Sequence, residues 1–133
     1  MCQAVELARD NTHFSNCQYT ALLRLRRHNN CTAHIADAWR ALHGYAVMEP
    51  RKLSDNNRNR PDIDGFLGMN RFILDFTCRN DVSSSQLGRD IVGIAERNKI
   101  QHYRDMAIGL RATFVPFVTL AFGGFSPAAM EFV

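Results

Sequence analysis

The feature that most constrains the fold is a pair of short apolar runs that each contain an aspartate. They lie in NRNRPDIDGFLGMNRFILDFTC, residues 57–78, on either side of a Gly-Met-Asn turn at 68–70. Apolar runs joined by a short glycine-containing turn predict a β-hairpin. The first run contains Asp62 and the second contains Asp75, with twelve residues between them. Because an unpaired buried charge is costly, each aspartate is expected to have a partner or a chemical role.

The alternation of side chains along the predicted strands directs both aspartates to one face of the hairpin. Asp75 shares its face with Thr77, and Asp62 shares its face with Asp64. Two carboxylates at comparable heights repel each other unless a shared proton or a divalent cation lies between them. Carboxylate oxygens are ligands that Mg²⁺ prefers. Turn capping or surface ion pairs with arginines are the alternatives for both residues, and Asp64 is the alternative ligand to Asp62.

The remaining segments predict an α/β fold with a central mixed sheet of about four strands flanked by helices. The predicted elements are helices over 20–43 and 88–112, strands over 45–50, 61–67, 71–78 and 114–122, and a final helix that begins at Ser126. Pro116 favours either an edge position for the last strand or a place early in that strand, and Pro127 is typical of the first turn of a helix. Antiparallel strands joined by tight turns, followed by a helical crossover to a parallel strand, suit this order of elements.

Several side chains on the two long helices are candidates for the same site. Lys99 is one of only two lysines and lies on the apolar side of its helix, where its ammonium would be a fixed positive charge beside the carboxylates. The alternative is a solvent-exposed Lys99 that pairs with Glu96 one turn earlier. His28 lies on the apolar face of the first helix, where a core histidine is the alternative to a functional one. Trp39 and Tyr103 have the spacing of core residues.

The charge and cysteine content place few limits on the partner. The chain has 16 Lys+Arg and 13 Asp+Glu, a net charge of +3, which permits a nucleic-acid partner without requiring one. The four cysteines form no C-x-x-C pair, the first residues lack the pattern of a secretory signal, and no apolar run is long enough to cross a membrane. We therefore expect an intracellular protein, nuclear or cytoplasmic, with no membrane partner.

The sequence Arg60-Pro61-Asp62, followed after twelve residues by Asp75 in an apolar strand, resembles the PD-(D/E)XK nuclease superfamily. Within that superfamily the chain is similar to the restriction-endonuclease-like domain of non-LTR retrotransposon polyproteins, in which the domain follows a reverse transcriptase. The resemblance covers roughly residues 13–133. It rests on segments that occur in the family's order, namely LRRHNN, MEP, RPDI, ILDFT, AERNKIQHY and PFVTLAFGGFSPAAMEF.

The resemblance implies a DNA endonuclease dependent on Mg²⁺ or Mn²⁺, whose nick leaves a 3′-hydroxyl that primes reverse transcription. Asp62 and Asp75 correspond to the metal-binding acids. Two residues after the second acid, where the superfamily usually has lysine, this chain has Thr77, which would bond a water or a phosphate oxygen. In the retrotransposon group the lysine comes from the following helix. Lys99 and Tyr103 match the lysine and the tyrosine of the family's segment in that helix, in which His102 replaces the second basic residue.

The resemblance also implies DNA contacts near the two acids. Arg26, Arg27 and His28 match the basic segment that opens the first helix, and Arg60 directly precedes the Pro-Asp pair. Arginine suits such contacts because its guanidinium binds phosphate in a bidentate manner. A solvated helix face is the alternative for these arginines, to which Arg24 also belongs.

The chain divides into an N-terminal segment, 1–19, and a nuclease-like domain, 20–133, which is expected to be truncated at its C-terminus and to belong to a longer polyprotein. His13 and Cys17 match the second half of the family's zinc-knuckle element. The leading C-x-x-C is missing, so we expect no complete zinc site. The alternatives to an active nicking enzyme are an inactive retrotransposon-derived DNA-binding relic and a structure-selective nuclease of the junction-resolvase type.

Overall fold

The computed structural model describes residues 21–42, 44–50, 60–79, 90–120 and 123–132, which form a four-stranded mixed sheet with helices on both faces. In chain order the elements are α1 (Ala21–Ala41), β1 (Tyr45–Met48), β2 (Ile63–Leu67), β3 (Asn70–Arg79), α2 (Ile91–Leu110), β4 (Thr113–Leu120) and α3 (Pro127–Phe132). The predicted α/β class and the predicted order of elements are confirmed.

The strands lie in the order β1-β2-β3-β4. β2 pairs antiparallel with both β1 and β3, whereas β4 pairs parallel with β3 after the crossover through α2. Pro116 lies within β4, which is an edge strand, as the missing N–H of proline predicts. Gly65 allows the close approach of β1 to β2, because a Cβ at this position would lie 2.0 Å from the Tyr45 carbonyl oxygen.

The two faces of the sheet have separate apolar cores. On one face Trp39 of α1 packs edge-to-face against Phe132 of α3, with ring centroids 5.1 Å apart, and Leu74 belongs to the same cluster. On the other face Tyr103 of α2 packs against Phe114 of β4, with ring centroids 4.9 Å apart. Trp39 and Tyr103 are therefore core residues, as predicted. Because neighbouring residues of a strand point to opposite faces, Asp75 lies on the α2 side of the sheet.

The predicted apolar face of α1 is buried only in its central part. Thr32, Ala36 and Trp39 are buried, whereas Leu25 is 55% exposed and Leu42 is 71% exposed. A helix of 21 residues is about 30 Å long at 1.5 Å per residue, and its buried residues all lie in the turns between Thr32 and Trp39. The same helix contains His28, near the end of β3.

Capping residues define the ends of α2, which is shorter than the predicted range 88–112. The Asp90 carboxylate accepts a hydrogen bond from the Gly93 N–H at 3.0 Å and begins the helix. Arg111 has a left-handed backbone with φ of 51°, and its N–H donates to the Ile108 carbonyl at 3.1 Å. A left-handed residue at this position ends the helix.

The start of α3 has the capping geometry predicted from its sequence. Ser126 Oγ accepts a hydrogen bond from the Ala129 N–H at 3.2 Å, and Pro127 is the first helical residue. A second acceptor comes from α2, because Glu96 Oε1 accepts from the Ala128 N–H at 3.2 Å. The alternative pairing of Glu96 with Lys99 is therefore replaced by a contact between two helices.

The predicted N-terminal segment 1–19, with His13 and Cys17, lies outside the described residues. Within the described ranges, no helix combines the length and the apolar character that a membrane span requires. Cys31 and Cys78 are both free thiols with partial exposure.

Candidate functional site

The strand register brings Asp62 beside Asp75 at one end of the β2–β3 hairpin. Ile63 pairs with Leu74, so the next position along the same register is Asp62 opposite Asp75. The Asp62 N–H donates to the Leu74 carbonyl at 2.9 Å, and Asp62 Oδ2 accepts from the Phe76 N–H at 2.7 Å. The first carboxylate is thus attached to the backbone that carries the second one.

The Asp75 carboxylate is 5% exposed and contacts two side chains of α2. The Lys99 ammonium donates to Oδ2, and the Tyr103 hydroxyl donates to Oδ1 at 3.2 Å. Burial raises the pKa of Asp75, the contact with Lys99 opposes this rise, and the charge of Asp62 adds to it. Two acids and one lysine that the sequence assigned to a single site therefore lie together in the structure.

The Asp62 carboxylate has a second partner on α1, because His28 Nε2 lies 3.1 Å from Asp62 Oδ1. This hydrogen bond raises the pKa of His28 above its ordinary value of 6.5, while partial burial lowers it. The His28 and Phe76 rings pack in an edge-to-face contact, with centroids 5.4 Å apart. His28 is therefore more than a core histidine, since it contacts the site through Asp62.

Asp64 forms an ion pair with an arginine, which is the role that the sequence left open for Asp62 and Asp75. Arg71 donates to both of its carboxylate oxygens, at 2.9 and 2.8 Å, in a bidentate arrangement. Arg71 also lies over the Phe66 ring at 5.5 Å. The Asp64 carboxylate is therefore paired with Arg71, and within the described part of the chain it shares no hydrogen bond with Asp62 or Asp75. Asp64 is a suitable control residue for those two acids.

Two clefts open on either side of His28. The first has a volume of about 270 Å³ and is lined by His28, Asn29, Thr32, Met48, Glu49 and Asp62. The second has a volume of about 380 Å³ and is lined by Arg24, Leu25, Arg27, His28, Phe76, Thr77 and Cys78. One cleft is thus polar and acidic and the other is basic, with Asp62 at the first and the end of β3 at the second.

The residues predicted to bind nucleic acid do not all lie in these clefts. Arg27 and His28 line the basic cleft together with Thr77, whereas Arg26 is exposed on α1 and is not among the lining residues. Arg60 is exposed, and its guanidinium lies 4.0 Å from the Glu49 carboxylate. The structure therefore brings Arg27, His28 and Thr77 together and leaves Arg26 outside the group.

The donor set fits a hard cation that needs few protein ligands. Within the described ranges there is no group of three or more His, Cys, Asp or Glu side chains that could hold a metal ion. Mg²⁺ is commonly bound by one or two carboxylates, with waters and substrate phosphates as its other ligands. Among the described residues, each oxygen of Asp62 and Asp75 has one hydrogen-bond partner, and a carboxylate oxygen has a second lone pair. Two such carboxylates side by side suit Mg²⁺ or Mn²⁺.

Two contributions to the site were not predicted from the sequence. Tyr103 matches a tyrosine of the family's segment and has the spacing of a core residue, but no contact was predicted for its hydroxyl, which lies 3.2 Å from Asp75 Oδ1 and 3.0 Å from the Arg60 carbonyl oxygen. His28 was a candidate for contact with nucleic acid and not for contact with Asp62, which is 34 positions away. The placement of Lys99 and Tyr103 one helical turn apart is the sequence signal that links the tyrosine to the site.

A comparison with models of protein families finds no family that matches this chain. A comparison with curated proteins finds no matching relative.

Proposed function

We propose that this chain is a metal-dependent endodeoxyribonuclease that uses Mg²⁺ or Mn²⁺ to nick target DNA during retrotransposition. The observation that supports the proposal most strongly is the adjacency of Asp62 and Asp75 at one end of a hairpin, with the Lys99 ammonium on Asp75. An arginine-lined cleft reaches the end of the same strand. Carboxylates, a lysine and arginines together suit the hydrolysis of a phosphodiester. A reverse transcriptase in the same polyprotein would extend the nicked end.

Asp62 and Asp75 would hold the metal ion, which when bound supplies an activated water and stabilises charge on the phosphodiester. Burial raises the pKa of Asp75, and the contact with Lys99 opposes this rise and so favours the charged carboxylate that a cation requires. The Lys99 ammonium also presents a fixed positive charge to the negative charge that develops on the scissile phosphate. His28 on α1 holds the Asp62 carboxylate through a hydrogen bond to Oδ1, whereas Lys99 on α2 holds Asp75.

The basic cleft would bind the sugar–phosphate backbone of the DNA. Arg24 and Arg27 line it from α1, and Thr77 lines it from β3, two positions after Asp75. Guanidinium groups bind phosphate oxygens in a bidentate manner, and a threonine hydroxyl donates to a phosphate oxygen or to a water. Such contacts position the strand without reading its sequence, so the proposal does not specify a target sequence.

A specific observation also supports a second candidate, a DNA-binding module without catalytic activity. Every oxygen of Asp62 and Asp75 already has a partner within the protein, as in a structural network of ion pairs. In that case the basic cleft would bind DNA and the two acids would only hold the hairpin, α1 and α2 together.

The test is the nicking of supercoiled plasmid by the purified chain, with Mg²⁺ and with EDTA. We expect nicking only with the metal. Asp75→Asn and Lys99→Met should each reduce the rate by about 100-fold or more, the scale of losing one preorganised charge contact. Asp64→Asn and Arg97→Met are the matched controls and should cut at the wild-type rate, because Asp64 pairs with Arg71 and Arg97 is exposed on α2.

The two candidates give different results in the same experiment. If no protein cuts but all of them bind duplex DNA with a steep salt dependence, the module without activity is correct and the nuclease proposal fails. Rapid cutting of branched DNA, with no cutting of linear or supercoiled DNA, would show that the enzyme is a structure-selective nuclease and does not nick a duplex target.

A further inference from the structure

We infer that the Tyr103 hydroxyl sets the spacing and orientation of the two acids, so that Tyr103 is a positioning residue for metal binding. The inference rests on the proposed nuclease function and deepens it, because it names a group outside the predicted catalytic set on which the affinity for the metal depends. The burial of Tyr103 does not reveal this role. The contacts of its hydroxyl do.

Packing fixes the position of the tyrosine ring. Tyr103 is 4% exposed, and its ring lies against Phe114 of β4 with centroids 4.9 Å apart and planes inclined by 31°. A buried ring that is held by a strand has little freedom to follow its hydrogen-bond partners. The hydroxyl is therefore a fixed point to which more flexible groups adjust.

The hydroxyl reaches the segments that carry both acids. Its oxygen lies 3.2 Å from Asp75 Oδ1 and 3.0 Å from the Arg60 carbonyl oxygen. Both are acceptors, and a phenol has one proton, so the two acceptors share it. Arg60 precedes Asp62 by two positions, and the residue between them, Pro61, is fully buried and has a fixed φ. Holding the Arg60 carbonyl therefore restricts the position of the Asp62 backbone.

Tyr103 also completes the support of the Asp75 carboxylate by α2. Lys99 and Tyr103 are four positions apart and lie on one side of the helix, and they contact different oxygens of Asp75, Oδ2 and Oδ1. Two contacts on two oxygens fix the rotation of the carboxylate plane. The second lone pair of each oxygen then has a defined direction. Mg²⁺ demands near-ideal octahedral geometry, so the orientation of its carboxylate ligands affects its affinity.

The test compares Tyr103→Phe with the wild type. Phenylalanine keeps the ring against Phe114 and removes only the hydroxyl. Loss of a group that orients a metal ligand commonly weakens metal affinity or activity by about 10- to 100-fold. We expect the Mg²⁺ concentration for half-maximal plasmid nicking to rise by this factor. The dissociation constant of Mn²⁺ from the DNA-free protein, measured by electron paramagnetic resonance, should rise equally.

The matched control is Tyr45→Phe, which removes a hydroxyl from a tyrosine that is 64% exposed on β1. This variant should have the metal dependence of the wild type. Binding of DNA in EDTA should be the same for Tyr103→Phe and the wild type, because the change acts on the metal ligands. If Tyr103→Phe has the half-maximal Mg²⁺ concentration and the Mn²⁺ dissociation constant of the wild type, the inference is overturned.

Failure of the proposed function would look different, because the wild type itself would neither bind Mn²⁺ nor cut. In that case a double-mutant cycle between Tyr103→Phe and Asp75→Asn tests the positioning contact in the metal-free protein. Their effects on the unfolding equilibrium constant should be non-additive, because the hydroxyl acts on the Asp75 carboxylate. Additive effects would overturn the inference in the metal-free protein as well.

Discussion

Single contacts decide how the two acids are held. Asp62 is held between α1 and β3, by His28 on one oxygen and by the Phe76 N–H on the other. Asp75 is held by Lys99 and Tyr103, which both lie on α2. The two carboxylates therefore depend on different helices, and a change in one helix will affect one acid first.

The contact between His28 and Asp62 predicts a pH dependence of stability. Because the hydrogen bond to Asp62 raises the pKa of His28 in the folded protein, its stabilising contribution is fully present below the unfolded pKa of 6.5. That contribution is lost as the pH rises through the higher folded pKa. In urea unfolding with EDTA, the wild type should therefore lose stability relative to His28→Gln as the pH rises above 6.5.

The variant Asp62→Asn provides a second arm of this experiment. It removes the carboxylate that raises the pKa of His28, so its stability should depend less on pH in the same range than that of the wild type. If the stability advantage of the wild type over His28→Gln stays constant or increases as the pH rises, the hydrogen bond between His28 and Asp62 is contradicted.

At the scale of elements, the short edge strand β1 connects the packing of the sheet to the site. β1 ends at Met48, and the next residue, Glu49, donates its N–H to the Asp62 carbonyl at 2.7 Å. Glu49 also has a left-handed backbone, with φ of 47°. The position of β1 therefore affects the backbone of the first acid and one wall of the acidic cleft.

The variant Gly65→Ala tests this connection. An added Cβ would lie 2.0 Å from the Tyr45 carbonyl oxygen and 3.0 Å from the Ala46 Cα, both of which are backbone atoms of β1. We expect a loss of unfolding free energy of at least about 1–3 kcal/mol, the usual cost of overpacking. Urea unfolding measures this loss. Unchanged stability would show that β1 does not lie against Gly65.

The control is Gly109→Ala on α2, where an added Cβ meets no atom within 4 Å. Alanine is favoured over glycine within a helix by about 0.5–1 kcal/mol, so this variant should be slightly more stable than the wild type. The same chemical change should thus have opposite effects at two glycines of the chain.

The elements could be predicted because their signals are local. The alternation around the turn at 68–70 predicted the hairpin and the placement of Asp62 and Asp75 side by side, and Ser126 predicted the start of α3. The contacts of His28 and Tyr103 could not be predicted, because they join residues 34 and 28 positions apart. Such contacts depend on how each helix crosses the sheet, which neither propensity nor periodicity determines. For the same reason the cap that Glu96 forms on α3 was not predicted.

At the scale of the whole molecule, the clefts predict a one-sided electrostatic contact with DNA. The basic cleft contains Arg27, whereas Asp62 and Glu49 line the cleft on the other side of His28. The backbone of a DNA strand should therefore be bound on the side of Arg27. The net charge of +3 is too small to bind DNA strongly without such a local cluster.

The salt dependence of DNA binding tests this arrangement. Each phosphate that a cationic side chain neutralises on duplex DNA contributes about 0.9 to the slope of log K against log salt concentration. Arg27→Gln should reduce the slope by about this amount in fluorescence anisotropy titrations. Arg104→Gln, exposed on α2, should leave it unchanged. Equal slopes for Arg27→Gln and the wild type would place the DNA elsewhere on the surface.

The most direct test of the central claim is the chemistry of the nicked end. Plasmid is incubated with the protein and Mg²⁺, and a polymerase with labelled nucleotides is then added after removal of the protein. A site formed by Asp62, Asp75 and Lys99 predicts Mg²⁺-dependent nicks with extendable 3′-hydroxyl ends, hence labelled plasmid with the wild type and with Asp64→Asn but not with Asp75→Asn. Equal labelling with wild type and Asp75→Asn, while both bind DNA, would contradict a catalytic role for these acids.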